Sequence, residues 1–248
     1  MNSSYPEHQF HGAFAEEYSF LKIICPGIVD CAQQSAHRLS EVPSRDDGTA
    51  LKVLEIGCGT GLSTRAFLDA RADITIEAMD NAPTMLDQAK VNLSEEIASG
   101  RFTLHLNDAL AHLEKLPSDS FDVVISNYAI HNFLHDYRDR VIPEIYRVLK
   151  AGGTFINGDR YGLDDPVSHL KVLQDEVRGY FRVFKEMNRW DLTEDWVLHV
   201  LSDESLDHVM RLTPSLEQMA AVGFDDTQII YREGIDTVLA ATKGDGIG

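Results

Sequence analysis

The run Leu51-Lys-Val-Leu-Glu-Ile-Gly-Cys-Gly-Thr-Gly61 constrains this chain more than any other stretch. Leu51 to Ile56 is a short aliphatic segment of the kind that forms a strand buried on both faces of a parallel sheet. It ends in Gly57-Cys58-Gly59-Thr60-Gly61, and a helical pattern (Leu62, Ala66, Phe67) begins at once. Strand, glycine turn and helix in succession build a nucleotide-sized site at the strand's carboxyl end. Glycine lets the backbone turn sharply and lets a ligand lie against it, and the helix amino terminus presents unpaired N–H groups. The dinucleotide pattern G-x-G-x-x-G asks for glycine at position 62, where Leu62 stands. A phosphate-binding loop asks for Gly-Lys-Ser/Thr, and no lysine is present there.

Strand and helix patterns then alternate. Ile74 to Met79 is a second strand ending at Asp80, and Pro83 opens a helix expected to run to about Ser99. Phe102 to Asn107 is a third strand ending at Asp108, followed by a short helix through Leu116. Phe121 to Ser126 is a fourth, bounded by Asn127. An amphipathic helix is expected over Asp136 to Lys150, with Pro143 near a turn or kink and Ala151-Gly152-Gly153 as its stop. Thr154 to Gly158 is a fifth strand ending at Asp159. Pro214 to Val222 reads as a helix, and Thr227–Tyr231 and Asp236–Thr242 as two strands whose short link favours antiparallel pairing. The expected fold is α/β: a doubly wound, mostly parallel seven-stranded sheet, Rossmann-like, with an antiparallel last strand.

Two regions stand outside that alternation. Phe10, Phe14, Tyr18 and Leu21 have helical spacing, and Ile28 to Leu39 resumes it after Pro26-Gly27. Residues 1–48 are therefore expected to form an N-terminal helical lid, with residues 49–248 as the main domain. Between about 162 and 213 no strand is evident. Leu170, Leu173, Val177, Phe181 and Phe184 trace one helical face there, and Leu192, Trp196 and Val200 a second. Tyr180, Phe181, Phe184, Trp190 and Trp196 make this insertion the most aromatic part of the chain, suited to enclosing a small molecule or to packing on the sheet.

Forty acidic residues against 22 Lys+Arg give a formal charge of −18, and no basic run is present, so no nucleic-acid partner is expected. No stretch has membrane-spanning length and no secretory signal is visible, so a cytoplasmic setting is expected. Cys25, Cys31 and Cys58 lack metal-ligand spacing, no metal site is expected, and the chemistry is expected to be metal-independent.

An acidic residue, one apolar residue and then G-x-G-x-G resembles motif I of the class I S-adenosylmethionine-dependent methyltransferases. Four further landmarks fit the same family. Asp80 stands where a carboxylate accepts both ribose hydroxyls, although the same place serves NAD. Asn107-Asp108-Ala109 resembles the adenine-binding turn, Asn127 to Phe133 resembles motif IV, and Val148-Leu149-Lys150-Ala151-Gly152-Gly153 resembles the L-K-P-G-G turn with alanine for proline. Ala15-Glu16-Glu17-Tyr18 looks like the A-x-x-Y that small-molecule members place beside the cofactor. The resemblance covers residues 50–160 closely and the final strand pair loosely.

It implies S-adenosyl-L-methionine as cofactor, held by Tyr18, Glu55, Gly57, Cys58, Gly59, Gly61, Asp80, Asn81, Met85, Asp108, Ala109 and Asn127. Structural alternatives stand beside these: Asp80 and Asp108 as helix caps, Tyr18 as packing. The implied reaction is in-line transfer of a methyl group to a small-molecule acceptor, with a general base only where the acceptor must lose a proton. His131 and Tyr128 are the candidate catalytic residues; Asp159, Tyr161 and His199 are further candidates, and none forms a dyad by spacing. The insertion is a candidate substrate cover or homodimer contact. Its layout also resembles carboxy-S-adenosylmethionine synthase, for which Arg178, Arg182 or Arg189 would supply a cation, and a noncatalytic cofactor-binding module is a third possibility.

Overall fold

The computed structural model describes residues 25–244. The helix expected over residues 10–21, and Tyr18 with it, lies outside the described residues. The chain runs α1 (Gly27–Ser40), β1 (Leu51–Ile56), α2 (Leu62–Ala70), β2 (Ile74–Asp80), α3 (Pro83–Asn92), α4 (Ser94–Ala98), β3 (Phe102–Leu106), α5 (Ala109–Leu113) and β4 (Phe121–Asn127). A 3₁₀ turn at Ile130–Asn132 leads to α6 (His135–Val148), β5 (Leu149–Arg160), α7 (Pro166–Glu186), α8 (Asp191–Asp203), α9 (Leu212–Val222), β6 (Phe224–Glu233) and β7 (Asp236–Lys243). The sheet order is β3-β2-β1-β4-β5-β7-β6. The first five strands are parallel, and β7 runs antiparallel to both β5 and β6.

Alternation along the strands feeds two cores. Leu51 and Val53 join Phe67 and Leu39 on one face, under α1, α2 and α3. Leu54 and Ile56 join Leu113, Val141 and Ile145 on the other, under α5 and α6. Strands buried on both faces explain why Leu51 to Ile56 is almost continuously apolar. A side chain such as fully buried Phe67 contributes roughly 2–3 kcal/mol through the area it removes from water.

Three boundaries differ from the sequence expectation. The helix after Pro83 breaks at Leu93, which is buried and acts as hinge between α3 and α4. Helix α6 stops at Val148, because Leu149 already pairs with Phe121 across a register shift, so Gly152-Gly153 lies within a bulged strand. In the insertion, the buried stripe is Leu173, Val177, Tyr180 and Phe184, joined by Leu192, Trp196 and Val200 from α8 and Ile28 from α1. Leu170, Phe181 and Trp190 face solvent. The spacing 173, 177, 180, 184 follows one helical face, and Phe181 stands one residue off it. Among the described residues, no helix is long and apolar enough to cross a membrane.

The α1–β1 connection is tied by one buried cation. Arg71 donates to the carbonyls of Leu39 (3.2 Å) and Val42, to Ser44 Oγ (2.8 Å), and through Nε and Nη2 to both oxygens of Asp73 (2.8 and 2.7 Å). Arg71→Leu leaves those acceptors without their donor and is expected to lower stability by about 2–4 kcal/mol. Arg178→Ala, which removes an exposed pair with Asp175, should change it by less than about 0.5 kcal/mol. Urea denaturation of the two variants checks the contrast.

Candidate functional site

The strand order reverses between β1 and β4, and the ends of β1, β2 and β4 open there into a cleft of ≈ 770 Å³. Gly57 and Gly59 form one wall, Asp80, Asn81 and Met85 the next, Asn107 and Ala109 the third, and Asn127 to Ala129 the floor. Gly57 must be glycine: its φ is +71°, and a Cβ there would lie 2.3 Å from the Cβ of Ala129. Asp80 closes β2 with Oδ2 accepting from the N–H of Gly59 (2.9 Å) and Oδ1 from Ala82 (2.9 Å), which leaves lone pairs of both oxygens for a ligand. Burial raises its pKa against these backbone hydrogen bonds. Asn127 donates to Ile28 O (3.1 Å) and Ser63 Oγ (2.9 Å). Its Oδ1 and that of Asn132 are buried acceptors without a hydrogen-bond partner, and both residues line the cleft.

Of the residues named from sequence, Gly57, Gly59, Asp80, Asn81, Met85, Ala109 and Asn127 line this cleft, whereas four others stand behind it. Gly61 begins α2 at φ +82°, and a Cβ there would meet Leu93 Cδ1 at 2.6 Å, so it serves packing against the α3–α4 hinge. Cys58 is buried, and burial pushes its thiol well above the ordinary range. Asp108 caps α5 by accepting from Ala111 N–H (2.7 Å), and its other oxygen accepts from the Tyr137 hydroxyl (2.6 Å). Glu55 is buried and accepts from Thr64 Oγ1 (2.7 Å). Burial pushes its carboxyl up to about 8, with Thr64 opposing and Asp80 adding. Asn107, Asn132 and Phe133 also line the cleft; the sequence placed them inside the Asn107–Ala109 and Asn127–Phe133 segments without naming them as cofactor residues.

A second, smaller cavity of ≈ 490 Å³ lies beyond the first, and Tyr128 and Asn132 line both. Its walls are Cys25 and Ile28 before and in α1, His131 and Arg160 at the sheet, Tyr180 on α7, and Trp196, His199 and Asp203 on α8. Here the fold makes the dyad that spacing did not reveal. His131 Nδ1 is 2.5 Å from Asp159 Oδ1, while its Nε2 points toward Asp203 Oδ2 at 3.9 Å. His199 Nε2 approaches the same Asp203 oxygen at 3.6 Å, and Asp203 Oδ1 is buried with no hydrogen-bond partner. Burial acts to lower the His131 pKa, but the charge and hydrogen bond of Asp159, with Asp203 behind, leave it raised.

The other candidates are committed elsewhere. Tyr128 sits at φ +55° and donates its hydroxyl to Asp236, while burial pushes its phenol up. Tyr161 is buried and accepts from Asn157 Nδ2 (2.7 Å). Arg160, not Arg178, Arg182 or Arg189, is the guanidinium that lines the second cavity, and Glu176 takes it in a two-bond pair (2.5 and 2.9 Å).

Comparison with known proteins agrees with this architecture. Residues 54–157 match the family model described as a methyltransferase domain. The chain is 34% identical over 126 residues to a malonyl-[acyl-carrier protein] O-methyltransferase of Paenibacillus sp., covering 50% of this chain and 44% of that protein. It is 25% identical over 188 residues to a carboxy-S-adenosyl-L-methionine synthase of Shewanella loihica, covering 73% and 71%. A phosphoethanolamine N-methyltransferase of Haemonchus contortus, solved in complex with S-adenosyl-L-methionine, superposes with a TM-score of 0.58 at 17% identity, covering 85% of this chain and 52% of that one. The chain spans about half the length of the curated relatives it first matches. Sheet order and family match together identify residues 54–157 as a methyltransferase domain built on a Rossmann-like sheet.

Glu55 gives this site a pH signature. Its native pKa of about 8 lies above the value of an unfolded glutamate, so the native state holds a proton that the unfolded chain has released. Stability should therefore fall as pH rises from about 4.5 toward 8. Glu55→Gln keeps an acceptor for Thr64 and should flatten that decline, as read from melting temperatures at pH 6 and 8.5.

Proposed function

We propose that this protein transfers a methyl group from S-adenosyl-L-methionine to a small-molecule acceptor whose O–H or N–H group faces His131. The observation that carries this is the junction of two cavities at Tyr128 and Asn132, with the buried His131–Asp159 dyad on the far side. The first cavity suits the cofactor. Asp80 offers lone pairs for ribose hydroxyls, Asn127 and Asn132 hold unpartnered buried acceptors for donor groups, and Gly57 admits close approach. Asn81, Met85 and Ala109 would flank the nucleoside, with Glu55, Cys58, Gly61 and Asp108 shaping the seat from behind. Of the expected lid over residues 1–48, α1 packs on the sheet face and contributes Ile28 to the second cavity, and residues 1–24 lie outside the described residues.

When bound, the cofactor supplies a methyl group already activated on a sulfonium that leaves as a neutral thioether. The chain supplies orientation and a proton acceptor. Neutral His131 takes the acceptor's proton on Nε2, and Asp159 holds Nδ1–H and stabilises the imidazolium. Asp203, with an open oxygen, anchors a donor group of the acceptor. Tyr128, tied to Asp236, is a positioning residue whose backbone shapes the opening. Tyr180 and Trp196 provide the apolar faces of the acceptor pocket. The aromatic walls of the second cavity, Tyr128, Tyr180 and Trp196, and the charge of −18 both favour a small acceptor over nucleic acid.

The carboxy-S-adenosylmethionine alternative requires a free cation near the reacting carbon. Arg178 and Arg189 pair with Asp175 and Asp191, Arg182 is exposed, and Arg160 is taken by Glu176. Mass spectrometry of copurifying cofactor tests this: a mass increased by a carboxylate would replace the methyl-donor reading.

Asp80→Ala is expected to lose cofactor binding with the fold intact, read by calorimetry with S-adenosylhomocysteine; unchanged affinity sinks the ribose assignment. Release of S-adenosylhomocysteine against a panel of small phenols, acids and amines tests activity, and a chain that binds cofactor yet turns over none of them is a sensor. With an acceptor in hand, His131→Asn should cost on the order of 10²–10⁴ in kcat. Asp159→Asn removes the charge that raises the His131 pKa, so the rising limb of the pH–rate profile should move to lower pH while the plateau falls.

A further inference from the structure

The fold gathers three ligating side chains that the sequence scatters and the methyl-transfer site does not use. Glu77 on β2, His105 on β3 and His112 on α5 meet on the sheet face that carries Met79 and is covered by α5. Nε2 of His112 lies 3.1 Å and Nε2 of His105 lies 3.2 Å from the same oxygen, Oε1 of Glu77. The three ligand atoms all lie within 4.8 Å of one another. Ligands held at the usual zinc distances in a tetrahedron stand roughly 3.3 Å apart, so the two short edges already have the spacing of a coordination shell.

We propose that Glu77, His105 and His112 bind a divalent transition-metal ion of the zinc type, with water completing the tetrahedron. Two imidazoles and one carboxylate are borderline donors that suit such ions better than calcium or magnesium, which prefer an all-oxygen shell. The site has a closed and an open side. His112 is buried at 8% side-chain exposure, whereas Glu77 and His105 keep 32% and 38% and give the ion and its water a route from solvent. The side-chain amide of Asn107 lies 3.5 Å from Nδ1 of His112. Turned to present its oxygen, that amide accepts Nδ1–H and leaves the Nε2 lone pair for the metal.

The placement gives the ion a structural consequence. Glu77 and His105 belong to neighbouring strands at the sheet edge, and His112 is on a helix of one turn and a half. The other ties of that helix are its cap, its core residues Ala109, Leu110 and Leu113, and two residues of α6: the Tyr137 hydroxyl accepts from the Leu110 N–H (2.8 Å) and Arg147 donates to the Leu113 carbonyl (2.7 Å). The ion ties that helix to both strands. Asn107 and Ala109, at its start, line the cofactor cleft.

The test is calorimetric titration of the full chain with Zn²⁺ after chelator treatment and removal of the chelator, with circular dichroism confirming each variant's fold. Wild type should bind one equivalent, and Glu77→Gln and His105→Ala should each weaken binding on the order of tenfold or more. His105 is half exposed, so His105→Ala is the variant that keeps the fold; a matching loss of the Zn²⁺-induced rise in melting temperature is expected. Absence of stoichiometric binding, or binding that His105→Ala leaves unchanged, overturns the proposal. A loss caused instead by His199→Ala would assign the ion to the cavity at Asp203 and overturn it as well.

Discussion

One fully buried carboxylate holds the centre of this molecule together. Asp159, at the end of β5, accepts four hydrogen bonds: Oδ2 from the N–H groups of Ile130 (3.0 Å) and His131 (3.2 Å), Oδ1 from His131 Nδ1 (2.5 Å) and the N–H of Arg160 (2.9 Å). A buried charge costs several kcal/mol unless its lone pairs are satisfied, so this set of donors cannot be rearranged cheaply. It fixes the 3₁₀ turn after β4 to the neighbouring strand. Tyr128 and Asn132, which separate the two cavities, are carried by that same segment. A tyrosine at φ +55° stores on the order of 1–3 kcal/mol of strain. The N–H of Tyr128 to Gly158 O (2.8 Å) and its hydroxyl to Asp236 hold it there.

Topology explains why those partners are within reach. In an open α/β sheet a ligand enters where neighbouring crossovers lead to opposite faces, and here that is between β1 and β4. The reversal of β7 does something different. Antiparallel pairing sets Asp236 directly opposite Arg160, so the first residue of the last strand arrives beside the end of β5, beneath Tyr128. The chain between β5 and α9 then roofs this corner with α7 and α8. Their buried stripe reaches Ile28 on α1, so the second cavity is closed by elements from both ends of the described chain.

The parts of the site that were legible in the sequence are those whose chemistry is local. Glycine at position 57, an acid closing β2 and an amide closing β4 each announce themselves within a few residues, because strand ends and tight turns restrict residue type. Asp108 shows the limit of that logic: a carboxylate at a strand end is equally a helix cap, and the cap is what its Oδ1 makes. The His131–Asp159 dyad spans 28 residues and two strands, and Asp203 comes from the insertion, so no spacing rule connects them. The same holds for Glu77, His105 and His112, whose meeting depends on strand register and on the angle of a five-residue helix. The aromatic stripe of the insertion was misplaced by one residue, at Phe181 instead of Tyr180, because apolar residues on both sides of a helix leave its rotation undetermined until a partner surface exists.

The electrostatics of the second cavity give the proposed reaction its direction. Asp203 lines it, and Asp159, Glu176 and Asp236 stand behind its lining residues His131, Arg160 and Tyr128. In the proposed transfer the acceptor's proton turns His131 into an imidazolium, so a cation arises on the chain in the second cavity. Carboxylates fixed around the receiving end stabilise that charge where it arises, and with His131, Asp159 and Asp203 all buried such interactions are stronger than in water. The same carboxylates raise the histidine's affinity for protons before any acceptor binds, which reduces the fraction of rings ready to act as base. Burial opposes them. The dyad is therefore a balance in which the carboxylates hold the imidazolium and desolvation opposes them, the carboxylates together being the larger effect.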